Sequence, residues 1–291
     1  MNANAVTIKK ISAVSDLIRL PKQQGTLLVL WPTLWSLFIA SAGVPTVKLL
    51  AIFILGTFLM RSAGCAINDI ADRNFDPHVE RTRTRPLANG RLKVKEAAIV
   101  FVTLSALAFA LVLFLNTLTV ILSVVGILLA SLYPFVKRVS HFPQVVLGMA
   151  FGWGSVMAWS AVTGSIGAVP LLIFAANIFW STAYDTIYAL MDMEDDLMIG
   201  VKSTAIFFGK KVYLALTLLY LLTAAFLLAA GFAGGLGLVY YSGVLISLGA
   251  FLRMAAHLKK NPTREAAFRG FIGNAVVGGF ILVFILIDLN L

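Results

Sequence analysis

Acidic residues are scarce in this chain. There are 13 in 291 residues, against 23 Lys and Arg, and charged residues of both signs make up only 12%. An ordinary soluble domain carries roughly 25%, so a disordered polyelectrolyte is excluded and a soluble globular domain is disfavoured. The net charge of +10 does not indicate a nucleic-acid partner, because a basic stripe needs a polar surface around it and 60% of the residues are hydrophobic. Cysteine is almost absent. The single Cys65 excludes an intrachain disulfide and a cysteine-built metal site. The three histidines, His78, His141 and His257, are scattered without metal-ligand spacing.

Long apolar runs take the place of charge, and the mean hydropathy is +0.93. A membrane helix needs roughly 20 apolar residues. Nine such runs are present, at 24–43, 47–66, 97–116, 120–136, 145–163, 169–188, 212–231, 237–256 and 270–289. Threading nine spans through a bilayer places 22 of the 23 basic residues on the N-terminal side and only Lys48 on the other. Under the positive-inside rule the N-terminus is then cytoplasmic and the C-terminus outside. The segment 1–20 is mixed and polar, unlike a cleavable signal. The expectation is an all-α, polytopic membrane helix bundle of nine transmembrane helices in a bacterial cytoplasmic (inner) membrane. It forms one domain over 1–291, with 1–23 a cytoplasmic N-terminal segment.

The few acids are clustered. Four lie in 69–80 and five in 185–196, at the cytoplasmic ends of the second and sixth runs. Acids at such depth are costly and are functional candidates by default. On a helix, residues four apart share a face, so Asn68, Asp72 and Asp76 form one row of oxygen donors with Asp69 beside it. At about 100° per residue, Asp192 and Asp196 each fall within about 20° of Asp185, and Glu194 points away. Two facing carboxylate rows repel unless cations lie between them. Oxygen donors without His or Cys select Mg2+, Mn2+ or Ca2+, and Mg2+ typically shares its shell with substrate phosphate oxygens. The expected ligand is therefore a phosphate or diphosphate. Arg81, Arg83 and Arg85, just after the first row, supply planar donors for it.

These residues resemble a known family. An N-D-x-x-D-x-x-x-D row (Asn68, Asp69, Asp72, Asp76) paired with a D-x-x-x-D row (Asp192, Asp196) is similar to the UbiA superfamily of intramembrane aromatic prenyltransferases. So are Trp31-Pro32-Thr33, Arg85-Pro86-Leu87, Tyr133-Pro134-Phe135, Tyr184-Asp185-Thr186 and Lys202-Ser203-Thr204, in that order over nearly the whole chain. They resemble its 4-hydroxybenzoate branch, with one departure, Met193, where that branch often carries a basic residue.

The resemblance implies that a polyprenyl diphosphate binds through Mg2+ between the rows and ionises. The allylic cation then attacks the ring carbon ortho to the hydroxyl of 4-hydroxybenzoate, as in ubiquinone biosynthesis. It implies metal ligation by Asn68, Asp72 and Asp76 and by Asp192 and Asp196, with Asp69 and Asp195 nearby. Arg73, Arg81, Arg85 and Lys202 would clamp the diphosphate. Asp185 would orient the acceptor or take its proton, and Tyr188 would face the cation or diphosphate. Arg138 is either a topology-setting loop base or, by the resemblance, the partner of the benzoate carboxylate. Three rivals remain in view. They are another aromatic acceptor of the quinone branch, a cation-coupled transporter, and a lipid-phosphate transferase whose D-G-x-x-A-R start is absent.

Overall fold

The computed structural model describes residues 3–291, with side chains from Ile8 onward. Among the described residues it is helical throughout, without strands. A short N-terminal helix α1 (Ala3–Leu17) precedes α2 (Gln24–Ala40), α3 (Val47–Asp72), α4 (Val94–Val112), α5 (Thr117–Val136), α6 (Pro143–Thr163) and α7 (Ala168–Ala189). Two short helices, α8 (Met193–Ile199) and α9 (Thr204–Phe208), lead to α10 (Val212–Gly234), α11 (Leu238–Lys260) and α12 (Arg264–Leu289).

Each of the nine apolar runs lies within or largely overlaps one long helix. Seven helices are long and apolar enough to cross a membrane. α2 is apolar but only 17 residues long. α7 is longer, at 22 residues, but carries Asn177, Ser181, Thr182, Asp185 and Thr186.

The largest core lies among α2, α7, α10, α11 and α12. Trp35 and Trp180 stack at its centre with ring centroids 5.3 Å apart. Buried Asn274 accepts from Trp180 Nε1 at 2.9 Å and from the Tyr220 hydroxyl at 3.1 Å, so the polar tips of both rings are satisfied. Close approach is set by Gly278, where a Cβ would lie 2.3 Å from the Trp31 ring and 2.7 Å from that of Trp180. On the other side, α3 packs on α4, and α5 packs on α6. A cavity of about 1230 Å³ opens between these halves, bounded by α2 to α7 and by the loop after α3.

Candidate active site

Both acid rows break where a continuous helix was expected. α3 ends at Asp72, and Asp76 begins a short 3-10 turn, Asp76–His78. Pro77 has no N–H to donate to the carbonyl four residues back, so the α-helix cannot run through it. α7 ends at Ala189, and α8 restarts after Asp192 with Glu194, Asp195 and Asp196 in its first turn, where negative charge suits the helix dipole. Asp185 and Asp192 therefore do not share a helix face. Asp192 and Asp196 do remain one turn apart, with Asp196 N donating to the Asp192 carbonyl at 2.8 Å. Glu194 is exposed.

The loop and helix ends bring a basic partner to nearly every buried acid. Arg81 grips Asp192, with Nε 2.9 Å from Oδ1 and 3.0 Å from Oδ2. It also donates from Nη1 to the Tyr188 hydroxyl at 2.8 Å and lies over the Tyr188 ring. Arg85 Nη1 is 3.0 Å from both Asp76 oxygens. Lys137 meets Asp72. Arg19 Nη2 lies 2.7 Å from Asp69 Oδ1. Asp69, Asp72, Asp76 and Asp192 are all buried. Burial pushes the Asp76 carboxyl above its ordinary range, against the pull of Arg85. Burial, with Asp192 next to it, pushes Asp196 up to about 7.

Asn68 Nδ2 donates to Asp72 Oδ2 at 3.1 Å, and the buried Asp72 Oδ1 has no partner. Asp195 Oδ2 is also buried without a hydrogen bond, 3.9 Å from Arg264. The donors are hard oxygens of the kind Mg2+ takes. Among the described residues no three His, Cys, Asp or Glu side chains converge closely enough to hold an ion. The carboxylates are turned toward their arginine and lysine partners instead.

Asn68, Arg81, Arg85, Asp185 and Tyr188 line the polar end of the cavity. The remaining expected residues are placed elsewhere. Arg73 is exposed and donates to the Ile70 carbonyl at 2.9 Å. Lys202 Nζ reaches the Val139 carbonyl at 3.3 Å. Arg138 donates to the Ala71 carbonyl at the end of α3 and lies 5.3 Å over the Phe75 ring, outside the cavity wall.

Arg61 was missed at the sequence level. It projects from the middle of the apolar α3 into the cavity wall, next to Cys65 and 5.9 Å from the Phe151 ring centroid. Its buried Nε has no partner. A Cβ on Gly25 would lie 2.6 Å from Arg61 Nη2, so the glycine leaves room for the guanidinium. Tyr133 and Asp185 line the same region. A guanidinium with an unpartnered Nε, a carboxylate and aromatic rings thus share one apolar chamber next to a charged head. A buried donor without an acceptor is costly, and this one suits an anion carried on a flat apolar body.

The UbiA prenyltransferase family matches residues 29–281. The chain is similar to the 4-hydroxybenzoate octaprenyltransferase of Tolumonas auensis, with 51% identity over 94% of this chain and 95% of that one. It is similar to that of Citrobacter koseri at 48% identity over 94% of each. Among solved structures it resembles the apo UbiA homolog from Aeropyrum pernix, with a TM-score of 0.78 and 26% identity over 89% of this chain and 97% of that one. The UbiA homolog from Archaeoglobus fulgidus bound to GPP and Mg2+ shares the fold, with a TM-score of 0.67 and 16% identity over 94% and 99% of the two chains.

Proposed function

The chain belongs to the UbiA prenyltransferase family, and we propose that the cavity between its two acid clusters is where it joins a polyprenyl diphosphate to 4-hydroxybenzoate. It is an integral membrane prenyltransferase of ubiquinone biosynthesis. The product is 3-polyprenyl-4-hydroxybenzoate. The observation that carries the assignment of the site is the junction, in one cavity, of a polar head lined by Arg81 and Arg85, which pair with Asp192 and Asp76 of the two acid clusters behind the lining, and an apolar chamber holding Arg61.

In this reading Arg81 and Arg85 hold the diphosphate oxygens through planar, charge-assisted hydrogen bonds. Lys137 joins them at the rim of the first cluster. Asn68, Asp72 and Asp76 would hold one divalent cation, and Asp192 and Asp196, with Asp195 beside them, a second. Bound Mg2+ supplies positive charge to the leaving diphosphate as the C–O bond breaks. A carboxylate released from its lysine or arginine by the cation leaves that base free for phosphate. Tyr188, whose hydroxyl accepts from Arg81, would offer the allylic cation the ring face that Arg81 does not cover. Arg61 pairs with the carboxylate of 4-hydroxybenzoate, a role that the family resemblance offered for Arg138 as one of two readings. Asp185 orients the acceptor and is placed to take the proton from the substituted ring carbon. The isoprenoid tail runs along the apolar part of the cavity, past Phe101, Phe109 and Ile127.

The N-terminus and the loop 73–93 face the cytoplasm in this reading, and the membrane is the bacterial inner one. The basic split of the sequence supports this orientation. The test is incubation of the purified chain with farnesyl diphosphate, Mg2+ and a panel of aromatic acids, with products identified by mass spectrometry. A 3-prenylated 4-hydroxybenzoate is expected. Prenylation of a naphthoate in preference to 4-hydroxybenzoate would move the acceptor within the quinone branch, and no transfer would refute the reading.

A further inference from the structure

The N-terminal helix brings a charge to the acid site from outside the family-matched region 29–281. α1 is docked by Ala13 and Leu17, both fully buried against Ala66, Leu92 and Ala97. Arg91 Nη1 ties it to the basic loop through Asp16 Oδ2 at 2.7 Å. Two residues past the end of α1, Arg19 has φ +58°, in the left-handed region that side-chain-bearing residues rarely adopt. Such an outlier persists only where its surroundings over-determine it, and here they do. Arg19 Nη1 donates to the Asp16 carbonyl at 2.7 Å and to that of Leu17 at 3.3 Å, and Gln23 Nε2 donates to the Arg19 carbonyl at 3.1 Å.

The result of this turn is that Arg19 Nη2 lies 2.7 Å from Asp69 Oδ1. Asp69 is fully buried and its Oδ2 has no partner. Arg85 is the other cation within reach. It lies 3.2 Å from the same Asp69 oxygen while holding both oxygens of Asp76 at 3.0 Å. Arg85 is thus shared between two carboxylates, and one of them already has Arg19. A buried carboxylate left with too little positive charge is strongly unfavourable. Without Arg19, Asp69 would draw Arg85 to itself.

We propose that Arg19 is a positioning residue of the donor site. By satisfying Asp69 from the N-terminal turn, it leaves Arg85 free to face Asp76 and the diphosphate of the substrate. The proposal rests on the reading above that a prenyl diphosphate binds here. Wild-type transfer to 4-hydroxybenzoate, measured first, separates failure of that reading from failure of this one.

The experiment compares Arg19→Ala, Arg19→Gln, Asp69→Asn and the Arg19→Gln/Asp69→Asn double variant in the full chain. Arg19→Gln keeps donors for the α1 carbonyls and serves where Arg19→Ala does not accumulate. Two quantities are read: the KM for farnesyl diphosphate, and the Kd for farnesyl thiodiphosphate, whose C–S bond resists ionisation. Both are expected to rise about tenfold in the Arg19 variants, the scale of one charge-assisted hydrogen bond. The KM for 4-hydroxybenzoate is expected to hold. In the double variant, donor affinity returns to within about twofold of Asp69→Asn alone, because an amide does not compete for Arg85 as a charge does. A strut for α1 would give no such rescue. Unchanged donor affinity in the Arg19 variants, equal losses for both substrates, an inactive Asp69→Asn chain, or a double variant as impaired as Arg19→Gln would each overturn the proposal.

Discussion

Arg81 and Asp192 form a two-point pair, with Nε at 2.9 Å and 3.0 Å from the two carboxylate oxygens. Arg81 belongs to the loop after the first acid cluster and Asp192 to the second, so this pair joins the two halves of the site. A planar guanidinium can hold a carboxylate at two points and still offer an N–H to Tyr188, which a lysine cannot. Arg81→Lys is therefore expected to lower kcat/KM for the prenyl diphosphate by roughly tenfold to a hundredfold, as a charge-assisted bond is worth about 1.5–3 kcal/mol. Steady-state kinetics with farnesyl diphosphate check this, and wild-type values would show that a point charge suffices.

Acceptor recognition separates Arg61 from Arg138. Arg61→Ala is expected to raise the KM for 4-hydroxybenzoate by roughly tenfold to a hundredfold and to change donor binding little. Arg138→Ala, whose guanidinium caps the end of α3 at Ala71, is expected to leave acceptor selectivity intact. The reverse pattern, with Arg138 governing the acid and Arg61 silent, would return the carboxylate to Arg138.

Metal affinity is expected to depend on pH through Asp196. Burial raises its carboxyl to about 7, above the ordinary value of roughly 3.9. Below that value the group holds a proton that a cation must displace, and above it the carboxylate is free. The Mg2+ concentration for half-maximal transfer should therefore fall as the pH rises from about 6 to 8. Asp196→Asn should flatten that dependence. A half-saturation constant that does not move across this range would remove Asp196 from the metal site.

Topology is tested by reporter fusions. Fusions at Leu291 and in the loop at Asn89 should report opposite sides of the membrane. The same side for both would contradict the arrangement of nine spans inferred from the basic residues.

The acid clusters were legible because charge stands out in an apolar chain, and Asp72, Asp76 and Asp192 all end up buried beside basic partners. Their geometry was less legible. Spacing implied two unbroken faces, whereas Pro77 stops one helix and the turn before Met193 interrupts the other. The basic residues were harder still. Lys137 and Arg138 are adjacent, and only the end of α5 at Val136 determines that Lys137 turns to Asp72 while Arg138 turns to Ala71. Arg61 read as one more base near a membrane face, because its orphaned Nε exists only once α2 and α6 close around α3. Pro21 marks a break after α1, but the left-handed position itself is Arg19 and not a glycine, so no residue type marks its positive φ.

The central claim is that the two acid clusters act through divalent cations on a diphosphate. Metal-free, the clusters face an anionic substrate with their bases engaged by carboxylates, and the cations reverse that field. The most direct measurement is prenyl transfer by the purified chain in EDTA and during Mg2+ add-back, run alongside Asp72→Asn, Asp192→Asn and the exposed control Glu194→Gln. The account predicts no transfer in EDTA and full recovery with Mg2+. It also predicts losses of at least about a hundredfold in turnover for the two Asp variants, the scale of one lost transition-state stabiliser, and near-normal turnover for Glu194→Gln. Undiminished transfer in EDTA, or a combined Asp72→Asn/Asp192→Asn chain that still transfers prenyl groups, would contradict it.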